Sequence, residues 1–72
     1  MKIPNFSVKC IKDCPGTIGT IDFKAGKIYH FINGECIKEN NEHSQLYSSF
    51  SNFIYMNSNW KDRFIEINSN NN

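Results

Sequence analysis

"FKAGKIYHFINGECIKE", residues 23–39, is the stretch whose reading decides the fold. Two turn signals bracket one apolar run. Ala25-Gly26, set between Lys24 and Lys27, supplies a residue free to adopt positive φ and so turns the chain sharply. Asn33-Gly34 is among the strongest short-range hairpin signals, because a type I′ turn needs positive φ at both central positions. Between the two, Ile28, Tyr29, Phe31 and Ile32 make a run that a short, strongly curved strand buries on both sides, with His30 inside it. The stretch therefore predicts a strand launched by a glycine turn, then a hairpin into "ECIKE", residues 35–39.

Upstream, Phe6, Val8 and Cys10 alternate with Ser7 and Lys9, the pattern of a half-buried strand. Ile11 breaks the alternation. Pro15-Gly16 offers the fixed φ and the permissive φ of a type II turn, and Gly19 adds a second flexible point. Lys12–Asp22 thus reads as a loop of about ten residues, long enough to suggest a function. Downstream, Asn40–His43 reads as a turn, and Gln45–Met56 as a strand or a pair of strands broken near Ser51-Asn52. Asn59 stands three residues before Asp62 at a capping-box spacing, and Trp60 and Phe64 are an i, i+4 pair, so a single helical turn is expected there. In the "FIEI" that closes the pattern, Ile65 and Ile67 share a strand face.

Composition agrees with strands. The 72 residues include ten isoleucines, six phenylalanines, three tyrosines and one tryptophan, types that favour β structure, whereas Leu46 and Ala25 are the sole residues of their kinds. A helical bundle is built from the residues this chain lacks. The expectation is a mostly-β single domain over residues 1–67, a small barrel of about five short strands with one helical turn before the last. Residues 68–72, "NSNNN", have nothing to bury and read as a disordered polar tail. A domain of this size buries only about 60% of the surface its unfolded chain exposes, so one modest core is all it can have.

The net charge of +1 gives no strong steering towards a polyanion. It is mildly divided: residues 1–38 carry six lysines against three acids, and the remainder two bases against four acids. No apolar run approaches the roughly 20 residues of a membrane span, and "MKIPNFSVKC" lacks the apolar centre of a signal peptide. A cytoplasmic location with no membrane partner follows as an expectation, with Cys10, Cys14 and Cys36 as reduced thiols, since three cysteines cannot all be paired within one chain.

Short strand, long loop, glycine turn, hairpin, strand, helical turn and final strand is the order of a Src-homology-3-like small barrel. On "VKCIKD" (8–13), "PG" (15–16), "FKAGKIY" (23–29) and "WKDRFIEI" (60–67), the chain also resembles a recurring type of short protein encoded by bacteriophages and other mobile elements. The resemblance implies an accessory protein acting on a host protein. It brings over no catalytic residues, and residues 35–56 match no part of it.

Four constellations carry possible chemistry. Cys10, Cys14, Cys36, His30 and His43 are zinc-type donors, but a single Cys-x3-Cys with one member on an inward strand face is poor spacing, and buried thiols that pack as small apolar groups explain it better. No metal or other cofactor is therefore expected. Cys14, on a loop before Pro15, is the better thiol nucleophile, with His30 or His43 as base, yet so short a chain forms little of the water-excluding pocket that catalysis uses, and an enzyme is not expected. Asp13, Asp22 and Glu35 show no spacing that pairs two carboxylates. Lys9, Lys12, Lys24 and Lys27, with Tyr29, Phe31 and Tyr55 nearby, define a nucleic-acid surface of phosphate-neutralising lysines and stacking rings, the second choice of function. Tyr29, Tyr47, Tyr55 and Trp60 are polar-tipped rings of the kind enriched at protein interfaces. The reading these choices leave is a non-enzymatic binding module for a host protein through those four rings, with a barrel edge also open to a second copy.

Overall fold

The computed structural model describes residues 5–67; the expected tail at 68–72 lies outside them. The described residues form β1 (Phe6–Cys10), β2 (Cys14–Pro15), β3 (Ile21–Phe23), β4 (Ile28–Phe31), α1 (Phe50–Met56), a 3-10 helix (Ser58–Arg63) and β5 (Phe64–Ile67). Strands dominate, as expected, but they make two sheets rather than a closed barrel: a three-stranded sheet in the order β4-β1-β5 and a two-stranded β2-β3 ribbon, both antiparallel.

β1 is central because it offers a ladder on both edges. Its register sets Val8 against Tyr29 on one side and against Glu66 on the other. Along β4 only Tyr29 and Phe31 turn inward, while Ile28 and His30 face out. The run does not bury on both sides, because the sheet has a single core face. Gly26 sits at φ +90° in the β3–β4 turn. Its N–H donates to the Cys10 carbonyl at 2.8 Å, and the Cys10 N–H donates to the Lys27 carbonyl at 2.9 Å. The glycine turn therefore clamps β4 onto the end of β1 and fixes the register of the sheet.

The expected Lys12–Asp22 loop contains a hairpin. Cys14 pairs with Phe23 and Pro15 with Ile21, with a register shift between Cys14 and Pro15. The reversal falls at Thr17–Thr20, where the Thr20 N–H donates to the Thr17 carbonyl at 2.9 Å, so the Pro15-Gly16 turn is displaced and Pro15 lies in β2. Gly16 serves a close approach: a Cβ there would lie 2.3 Å from Asp22 Oδ1.

Asn33 (φ 55°) and Gly34 (φ 92°) both take positive φ, as a type I′ turn requires. Ile32 and Glu35 exchange main-chain hydrogen bonds of 2.8 and 3.3 Å across it. There the ladder stops. "ECIKE" forms no strand, and the next bridge joins Ile37 to His43.

The strand or strands expected over Gln45–Met56 are replaced by α1. Ser49 caps it, its Oγ accepting from the Asn52 N–H at 3.0 Å, and the Asn52 side chain accepts from the Ser48 N–H at 3.1 Å. Phe50, Phe53 and Ile54, at helical spacing, pack on the core. The helical turn expected near Trp60 is the 3-10 helix; it begins after Asn57 rather than at Asn59, and the Trp60 and Phe64 rings lie tilted at 51° with centroids 6.4 Å apart. Phe53, 1% exposed, is the hub: its ring lies 4.9–5.9 Å from those of Phe23, Phe31, Tyr47 and Phe64, which come from both sheets and the connection ahead of the helix.

Candidate functional site

With one face of the β4-β1-β5 sheet on the core, the other faces solvent except at Ser7, which is buried beside His30. Register defines its rows: Ile28, Lys9 and Ile65 lie across one line, and His30, Ser7 and Ile67 across the next. Ile28 and Ile65 are half exposed, and Ile32 continues the same face along β4. Antiparallel sheets with a solvated face alternate to polar residues there. This face keeps its isoleucines.

Beside it, where the chain after the Asn33-Gly34 turn diverges from β4, a cleft of about 250 Å³ opens, lined by His30, Ile32, Glu35, Cys36, Ile37 and His43. The two histidines are oriented from behind, His43 Nδ1 standing 2.9 Å from Glu35 Oε1 and His30 Nδ1 2.8 Å from Ser7 Oγ. Cys36 forms the floor, 4% exposed, and burial pushes its thiol up to about 11, so it presents a neutral S–H.

The four rings do not form one surface. Tyr29 and Tyr47 are core residues, each with its hydroxyl anchored: Tyr29 accepts from the Lys24 N–H at 2.8 Å and donates to Glu39 at 3.2 Å, and Tyr47 accepts from Asn57 Nδ2 at 3.1 Å. Trp60 is half-buried against Phe23 and Phe64. Only Tyr55, 77% exposed on α1, presents its ring to solvent. Tyr29 and Tyr47 are not on the surface expected of them because a chain of 8.4 kDa needs large side chains to fill its core.

The four lysines lie on neighbouring segments of the chain. Asp13 Oδ1 accepts from the Ala25 N–H at 2.8 Å, joining the segment that carries Lys12 to the turn that carries Lys24 and Lys27, and the Cys10–Lys27 bond sets Lys9 beside that turn. The Arg63 guanidinium donates to the Asp13 carbonyl at the same place. Lys27 is paired with Glu39 at 2.9 Å, whose carboxyl the ammonium holds below its ordinary value; Lys9, Lys12 and Lys24 have no ion pair among the described residues. No stacking platform accompanies them on the sheet, since Tyr29 and Phe31 point into the core.

Cys14 is fully buried and its thiol is pushed up to about 12, chiefly by desolvation, so it is held as the neutral S–H away from solvent. Its thiol and that of Cys10 both donate to the Lys12 carbonyl, at 3.5 and 2.8 Å. The zinc-type donors are thereby split, two in the core and three at the cleft, and among the described residues no group of three is placed to hold a metal ion. Asp13, Asp22 and Glu35 are engaged separately, with Ala25, with Lys38 and Asn40, and with His43. The residues that sequence reasoning missed are the outward isoleucines. A partial signal was present in the shared face of Ile65 and Ile67, whereas the apolar run of β4 gave none.

No helix among the described residues is long and apolar enough to cross a membrane. Comparison of the chain with protein-family models, with curated proteins and with solved structures finds no match.

Proposed function

We propose that the chain is a small non-enzymatic module of the cytoplasm that binds a protein on the isoleucine face of its three-stranded sheet. The observation that carries the reading is that face itself: Ile28, Ile32 and Ile65 are half exposed on the two outer strands, with Ile67 on the same face, around the polar Ser7, Lys9 and His30, an excess of exposed aliphatic side chains for a solvated sheet face. The resemblance to short phage-encoded proteins supports a host protein as the partner. Element order, with a 3-10 turn ahead of the last strand, supports kinship with Src-homology-3-like domains. The Ile28→Lys/Ile65→Lys double variant, at two exposed positions, is expected to keep its unfolding midpoint and to lose the protein that the unmodified chain captures from host lysate at native salt. Recovery of the same protein by both chains would remove the face from the reading.

A second reading has its own observation, that the segments carrying Lys9, Lys12, Lys24 and Arg63 are neighbours at one end of the sheet. If that end holds phosphates, affinity for a labelled random oligonucleotide falls as salt rises and is lost when Lys9, Lys12, Lys24 and Lys27 are changed to glutamate, because phosphate contacts release counterions. Affinity that is flat with salt would end it.

A further inference from the structure

The cleft beside β4 is an unfinished hairpin. In the β1–β4 ladder the Cys10–Lys27 pair is hydrogen-bonded, so by alternation Tyr29 and Phe31 also bond to β1, and the N–H and C=O groups of Ile28 and His30 point to the far edge. On that edge the arm from Glu35 onward would complete the ladder, and after the Ile32–Glu35 bridge it does not: Ile37 turns to His43, Ser44 donates to Cys36, and the Glu39 N–H is taken by Asp22. Neither main-chain group of Ile28 or of His30 has a hydrogen-bond partner among the described residues outside the sheet. The gap between edge and arm is the 250 Å³ cleft, walled by Ile32 and Ile37.

We infer that this edge takes an extended segment of the protein partner as an added strand, with one aliphatic side chain of that segment entering the cleft. The inference rests on the protein-binding reading and specifies its chemistry. Three features select the occupant. The free donors and acceptors recur every second residue, the period of an extended chain. The cleft is smaller than the roughly 300–1,000 Å³ of pockets that enclose whole small molecules, and it suits a single side chain. Ile32 and Ile37 give it two branched aliphatic walls beside His30, Glu35, Cys36 and His43, and the edge strand carries no proline or inward charge of the sort that blocks strand addition. In such complexes main-chain bonds give affinity and the side-chain pocket gives selectivity.

The test is selection of a random linear heptapeptide library on the intact chain, followed by amide-resolved NMR with the best enriched peptide. Binding is expected to slow hydrogen exchange at the Ile28 and His30 amides and to move the Ile32 and Ile37 signals. N-methylation of one peptide amide that faces β4 should weaken binding by up to about tenfold, the size of one main-chain hydrogen bond. Ile37→Lys, at a half-exposed position, should abolish binding while leaving the rest of the amide spectrum in place, and Met56→Lys, exposed on α1 and outside both the edge and the cleft, should leave binding intact. Peptides that shift the Ile28 and Ile65 signals without slowing His30 exchange would overturn strand addition while leaving the protein-binding face standing. Absence of enriched peptides would overturn it as well, the lysate experiment then deciding the broader reading separately. Slow His30 exchange that depends on protein concentration without peptide would replace the partner with a second copy of the chain.

Discussion

Cys14 shows how position rewrites the chemistry of a side chain. In "KDCPG" it has the look of a reactive loop thiol; in the structure it is fully buried in β2, with its proton held to about pH 12. Cys36, up at about 11, and Tyr29, up at about 12, are moved the same way, chiefly by desolvation. Each is an acid that folding keeps protonated. The unfolded chain releases its thiol protons around pH 9 while the native state retains them, so above that pH the unfolded state binds fewer protons and stability falls as pH rises. Urea midpoints should be level between about pH 6 and 8 and decline steadily from about pH 9, with the decline shallower in Cys14→Ala. A midpoint that is flat to pH 11 would mean that the thiols are far more open to water than their burial implies.

Elements were legible where local chemistry alone dictates them. Asn33-Gly34 takes positive φ at both positions because few other dipeptides do so without strain; β1 and β5 follow from alternation. Two elements were not legible. Phe50–Met56 is rich in residues with β propensity, and its helix comes from the Ser49 cap and from tertiary packing of Phe50, Phe53 and Ile54, which override propensity. The arm after Gly34 has the pattern of a strand, but its main-chain groups are taken by Asp22 and by its own return through His43 and Ser44. The site was hidden for the same reason: one-sided burial of β4, which turns its isoleucines outward, depends on where the second sheet and the helix pack. Ser49→Ala is expected to cost about 1 kcal/mol, the usual value of an N-cap oxygen. Chemical denaturation would show it, and Ser49→Asp, which restores an acceptor, should recover most of the loss.

At the scale of the whole molecule, one ring holds the two sheets together. Phe53 meets Phe23 of the ribbon and Phe31 and Phe64 of the larger sheet, so its removal opens the junction rather than one layer. Phe53→Ala should cost about 3–5 kcal/mol, comparable with the whole stability of many small domains, and circular dichroism should find the variant largely unfolded at 37 °C. Retention of a cooperative melt near that of the unmodified chain would show that the sheets hold without the hub. The order β4-β1-β5 also has a bearing on synthesis. Of the described strands the earliest in the chain lies in the middle of the sheet, and its second neighbour, from Phe64 to Ile67, is the latest. Until Phe64–Ile67 has been made, β1 has an open ladder on one side, an edge exposed to pairing with another nascent copy.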